Sequence, residues 1–96
     1  MKRDAIAIKD GDNVATALRN LEAGETARVG IGDAVEAVAM AGAVEFGHKL
    51  ALVAIPRGGD ILKYGEVIGR ATEDIPKGAH VHVHNIESLR GRGDLA

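Results

Sequence analysis

The 96-residue sequence predicts a mainly β domain carrying one short helix. Its runs of Val, Ile, Thr and Ala are short and are separated by turn signals built from Gly, Pro and Asp. Ile55-Pro56-Arg57-Gly58 recurs as Ile75-Pro76-Lys77-Gly78, twenty residues later, and each copy leads into an extended run. The apolar volume comes from Ala, Val, Ile and Leu, with Phe46 and Tyr64 the sole aromatic residues. A core of small aliphatics buries modest area per residue, which points to support from a partner chain or from homo-oligomers.

Ala5-Ile6-Ala7-Ile8 reads as a first strand, stopped by the turn chemistry of Lys9-Asp10-Gly11-Asp12. Asp12 or Asn13 then caps a helix over residues 13–22: Val14, Ala17, Leu18 and Leu21 fall at helical spacing, and Gly24 marks the end. Residues 26–30 and 35–40 read as strands around Gly30-Ile31-Gly32-Asp33. Alanines from 34 to 43 also suit a helix, but Gly42 interrupts them and Val35 and Val38 lack helical partners. Leu50-Ala51-Leu52-Val53-Ala54-Ile55 fits a buried strand or a single buried turn. Both Ile-Pro-x-Gly segments are turns, proline fixing its own φ and glycine supplying the left-handed residue. Leu21-Glu22-Ala23-Gly24 is a looser relative. The first Pro turn opens the extended run 60–64, the second the segment 80–84. Residues 1–86 form one domain and 87–96 a polar, Arg- and Gly-bearing tail.

Several function classes drop out. With no cysteine, neither disulfides nor thiolate metal sites are available. A net charge of −2, without a basic patch interleaved with aromatics, gives no nucleic-acid signal. No apolar run approaches the ~20 residues of a membrane span, and residues 1–4 lack the pattern of a signal peptide, so a cytoplasmic protein is expected. There is no nucleophile motif, phosphate loop or helix-borne zinc motif.

What remains is histidine. In His80-Val81-His82-Val83-His84 the period of two places three imidazoles on one strand face and two valines on the other, toward a core. Neutral imidazole is both a metal ligand and an acid/base near neutral pH, although a polar strand face fits the same residues. Phe46-Gly47-His48-Lys49 suits an anion site, with glycine admitting close backbone approach and lysine supplying charge, but taken alone it fits an exposed loop with a solvated lysine better. Tyr64-Gly65 suits a phenol at a pocket rim or a half-buried core aromatic. Asn85 suits a cap on the strand end. Arg90 and Arg92 match carboxylates bidentately if the tail is ordered.

Taken together, Gly47-His48-Lys49-Leu50-Ala51-Leu52, Ile55-Pro56-x-Gly58, Lys63-Tyr64-Gly65-Glu66-Val67-Ile68-Gly69-Arg70-Ala71 and Ile75-Pro76-x-Gly78-x-x-Val81-His82-Val83-His84-Asn85 form an ordered set. That set resembles the small N-terminal domain of the altronate dehydratase and galactarate dehydratase family of sugar-acid lyases. The resemblance implies a SAF-type β-clip (antifreeze-like) fold, joined in longer members to a larger domain that carries much of the active site. It implies loss of water from an aldonic or aldaric acid, with a divalent metal, Fe(II), as cofactor. The implied roles are catalytic for His48, Lys49 and His84, metal-binding for His82 and His84, and substrate-binding for Tyr64, Gly65 and Asn85. Expected partners are a large dehydratase subunit or domain and a sugar-acid substrate, with the chain inactive alone. A sulfolactate sulfo-lyase small subunit and a non-catalytic SAF ligand-binding or assembly module are the alternatives.

Overall fold

Every regular element among the described residues, 2–88, is a β-strand in the computed structural model. The strands are β1 (Ala5–Ala7), β2 (Val14–Ala17), β3 (Thr26–Ile31), β4 (Ala34–Ala39), β5 (Lys49–Ala51), β6 (Asp60–Lys63), β7 (Glu66–Ala71), β8 (His80–Val81) and β9 (Ile86–Ser88). They form two sheets, one of six strands ordered β4-β3-β1-β2-β5-β8 and one of three ordered β6-β7-β9. All pairings are antiparallel except that of β1 with β3.

The expected helix is a correction. Residues 14–17 are β2, which pairs through Ala5↔Ala17 with β1 and through Val14↔Ala51 with β5. Val14 and Thr16 are β-branched, and the alanines between them let neighbouring layers approach, so the segment fits a central strand once its partners arrive. Leu18, part of the anticipated apolar stripe, is exposed. Asp12 and Asn13 do cap backbone groups, but those of residues some fifty positions later in sequence. The Asp12 carboxylate accepts the amides of Tyr64 (2.9 Å), Gly65 (2.8 Å) and Lys9 (3.2 Å). The Asn13 side chain accepts from Leu62 N–H (2.7 Å) and donates to Asp60 C=O (2.8 Å). These two residues stitch the small sheet to the large one.

The repeat seen in the sequence is fourfold in the fold. Glu22–Glu25, Glu45–His48, Pro56–Gly59 and Pro76–Ala79 each close a turn in which the last amide donates to the first carbonyl. The third residue is glycine in each, with φ of 88°, 84°, 85° and 83°, as a type II turn requires. Each of these glycine amides donates across to a carbonyl in or next to a strand: Met40, Ala17, Ala71 and Ala51, respectively. Aliphatic residues just before the turns bridge in pairs, Leu21 with Val44 and Ile55 with Ile75. Val44-Glu45-Phe46-Gly47 is the copy that composition conceals, because glutamate and phenylalanine occupy the places of Pro and a cation.

The core is aliphatic and divided. One cluster, including Leu21, Val29, Val38, Val44 and Leu50, fills the large sheet; the other, including Val14, Ile55, Ile61, Ile75 and Val81, lies where the two sheets meet. Val81 is fully buried, as the alternation predicted, but Val83 is 78% exposed. β9 takes in Glu87 and Ser88, so pairing continues past the expected domain boundary at residue 86. Arg90 and Arg92 lie outside the described residues.

Candidate functional site

Two of the four turns deliver imidazoles to one place. His48 ends the second turn, and its carbonyl accepts Ala17 N–H at 2.8 Å. His80 follows the fourth turn and opens β8, which pairs with β5 through Lys49↔Val81 and Leu50↔His80. Continuing that ladder one step sets His48 opposite His82, and their rings stack at 4.2 Å between centroids, 15° from parallel. His80 closes the triangle, with centroids 5.1 Å from His48 and 5.3 Å from His82. His48 Nδ1 and His80 Nε2 are 2.9 Å apart, a hydrogen bond in which one ring donates and the other accepts. Burial, reinforced by His48, keeps the His80 and His82 imidazoles below the usual histidine range, with Glu45 opposing. Both therefore favour the neutral form, the one with a lone pair to give.

The expected five-residue strand stops after Val81. The chain turns at 82–85, and Asn85 shapes that turn: its side chain accepts His82 N–H (3.0 Å) and donates to His80 C=O (2.8 Å). Asn85 is 4% exposed, so its amide group serves the loop that bears the histidines. The turn sends Val83 outward and His84 to the far side of His80, at 5.2 Å and 39°.

His82 also lines a pocket of about 310 Å³ with Lys49, Lys63, Tyr64, Glu66 and Val83. Burial, with the charge of Lys63 adding to it, holds the Lys49 ammonium below the usual lysine range. Tyr64 stands at the rim, 54% exposed, at a φ of 56°. Gly65 follows at 75°, and its N–H is committed to Asp12. A bulky residue in the left-handed region is uncommon and costs about 1–2 kcal/mol; the carboxylate of Asp12 holds it there.

The profile of the altronate/galactarate dehydratase SAF domain matches residues 3–89. The chain belongs to this SAF-domain family. It is 40% identical over 83 residues to the altronate dehydratase of Bacillus subtilis (strain 168), covering 86% of this chain and 16% of that protein. With the altronate dehydratase of Escherichia coli (strain K12) it shares 43% identity over 74 residues, 77% of this chain and 14% of that protein. It is also 43% identical over 47 residues to the (2R)-sulfolactate sulfo-lyase subunit alpha of Paracoccus pantotrophus, covering 49% of this chain and 70% of that subunit. The chain thus spans about one sixth of the altronate dehydratases it matches.

In this SAF domain the ligand atoms of His48, His80 and His82 all lie within 4.8 Å of one another. Nitrogens about 2.1 Å from one ion lie roughly 3–3.4 Å apart, so the trio could hold a divalent cation once its stacked rings turn toward one point. An all-imidazole donor set fits zinc, iron or nickel and suits calcium or magnesium poorly. The geometry thus groups His82 with His48 and His80, whereas the family resemblance had paired it with His84. His80 was visible in sequence as one of three alternating histidines, but its link to His48 depends on β5–β8 pairing. Lys63 was missed, and its sole signal was its place before the Tyr64-Gly65 turn. No helix among the described residues is long and apolar enough to cross a membrane.

Proposed function

We propose that this chain is the small domain or subunit of a sugar-acid hydro-lyase, supplying an open cluster of imidazoles that a larger polypeptide completes. The observation carrying the reading is the convergence of His48, His80 and His82 beside a pocket that bears Lys49. Kinship with altronate dehydratases supports it, as does the small share of those enzymes that the chain spans.

The reaction removes a proton α to a carboxylate and expels hydroxide from the β carbon, which leaves as water with a second proton. The resulting enol tautomerises to a 2-keto-3-deoxy acid. The trio would hold a divalent metal, Fe(II) by family, which when bound supplies Lewis-acid stabilisation of the negative charge that develops on the carboxylate. Lys49 places its ammonium in the pocket, where it orients the same carboxylate and adds to that stabilisation. His84, the imidazole outside the trio, is exposed and suited to carry a proton to or from the reacting atoms. The larger polypeptide contributes the remaining acid/base group and excludes water.

A second reading, a small subunit acting on sulfolactate, draws on the Paracoccus relative, a subunit short enough for a 47-residue match to fill 70% of it. One experiment addresses both. The chain is co-expressed with the large domain of an altronate dehydratase, and elimination from altronate, galactarate and sulfolactate is followed with and without Fe(II). The reading expects a stable complex that releases a 2-keto-3-deoxy acid and loses at least tenfold in rate on His82→Ala. Sulfite release from sulfolactate alone selects the second reading. A complex whose activity is untouched by His48→Ala, His80→Ala and His82→Ala overturns both.

A further inference from the structure

We propose that Lys63 is a second substrate cation and Glu66 a hydroxyl acceptor, so that the pocket beside the imidazoles is built for a polyhydroxy carboxylate. The inference rests on the hydro-lyase reading and adds the binding chemistry that selects its substrate.

Lys63 ends β6 and Glu66 begins β7; the two are paired across the hairpin and both line the pocket that His82 and Lys49 share. Residues 64 and 65 between them are both at positive φ, and Asp12, buried and reaching in from the other sheet, accepts both of their amides. Positive φ at both positions is what a two-residue type I′ hairpin turn requires, and the bonds from Asp12 fix that hairpin end against the large sheet. The Lys63 ammonium sits 4.9 Å from the centre of the Tyr64 ring. Neither it nor that of Lys49 makes an ion pair among the described residues, whereas Lys77 is paired with Glu36 and Arg19 with Asp4 and Glu25. Two unpaired ammonium groups in one pocket provide up to six N–H donors for a carboxylate. The single carboxylate of Glu66 leaves the three side chains with one net positive charge, complementary to a monoanion, and accepts hydrogen bonds from hydroxyl groups. A volume of about 310 Å³ lies at the small-molecule end of ligand sites. A three-carbon acid bearing a sulfonate has one hydroxyl and two anionic groups, a poorer match to Glu66 than a sugar acid.

The test is an NMR titration of the 96-residue chain with altronate, galactarate, sulfolactate and the neutral polyol galactitol. Amides of Lys49, Lys63, Glu66 and His82 should shift with altronate and not with galactitol. Lys63→Met should weaken altronate binding about tenfold, with Lys77→Met, a cation outside the pocket, leaving it unchanged. Glu66→Gln should weaken altronate while sparing or strengthening sulfolactate. Dispersed spectra of each variant establish that it is folded, and Lys63→Gln gives a second removal of the charge. Equal altronate affinity in wild type, Lys63→Met and Lys63→Gln overturns the inference and leaves the hydro-lyase reading standing. Tighter binding of sulfolactate than altronate by the wild type, or no shift at the pocket with any acid, also overturns it. The hydro-lyase reading itself falls only on the elimination assay with the larger protein.

Discussion

Replacing Asp12 by alanine should destabilise the domain and release the Tyr64-Gly65 turn together. Asp12 is 7% exposed, and its carboxylate accepts three backbone amides at 2.8–3.2 Å. A hydrogen bond to a charged group contributes about 1.5–3 kcal/mol when its loss leaves the partner unsatisfied. Lys9 lies at the longest distance and near solvent, so water recovers much of that bond. Tyr64 and Gly65 are exposed as residues, so water also reaches part of their amides, and the two shorter bonds are counted at the lower limit. The expected cost is about 2–3 kcal/mol. With a urea m-value of about 1–3 kcal/mol/M for a domain of this size, the unfolding midpoint should fall by roughly 0.7–3 M. Asp12→Asn keeps one acceptor oxygen and should lie between alanine and wild type. Tyr64→Gly in the Asp12→Ala background should recover part of the loss, because glycine adopts the positive φ without penalty. Urea denaturation followed by far-UV circular dichroism measures the midpoints, and amide exchange at Tyr64 and Gly65 reports the turn. A loss below about 0.5 kcal/mol, within the range of ordinary surface substitutions, would refute the stitching role.

Gly78→Ala should be among the most damaging single-methyl additions: the new Cβ meets the carbonyl oxygen of Ala39 and lies 3.0 Å from Ala41 N, at a φ of 83°. Backbone cannot yield as a side chain can, so a loss of at least about 3 kcal/mol is expected, and a soluble variant with unchanged melting temperature contradicts the packing described. Acid stability should run through Asp4, whose carboxyl is held below its usual value by the backbone amide of Arg28 (2.8 Å) and then, against the cost of burial, by Arg19 (3.0 Å). Because the folded state lowers the pKa, the stabilisation is complete above the ordinary carboxylate value and is lost as pH falls through the lower, native one. Asp4→Asn should therefore be less stable than wild type near neutrality and converge with it only as the pH falls through the lowered native value, in urea titrations at each pH.

The strands and turns with local signals were legible. β1, β3, β4 and β6 follow from β-branched or alternating runs bounded by glycine and acidic residues, and both Pro turns lie where Ile-Pro-x-Gly places them. The helix expected over 13–22 failed because Val14-Ala15-Thr16-Ala17 satisfies both periods locally. The choice is made by β1, the preceding strand, and by β5, far along the chain, whose edges only a strand can pair. Asp12 and Asn13 kept their character as caps, but capping chemistry does not reveal which amide will be nearby. At the site, the histidines were visible and their convergence was not. Alternation carried them along an extended strand, whereas Asn85 diverts the backbone after Val81 and turns Val83 outward. Lys63 carries no motif of its own; its place in the pocket comes from the pinned hairpin.

The small sheet's first two strands, β6 and β7, are inserted in the chain between β5 and β8, which are neighbours in the large one. During synthesis His48 must therefore wait while an entire hairpin emerges before His80 and His82 can join it, and contacts so distant in sequence form slowly. Assembly of the imidazoles requires closing a loop of 32 residues between His48 and His80. A lesion that hinders docking of either sheet should therefore scatter the imidazoles, even when it is remote from every histidine.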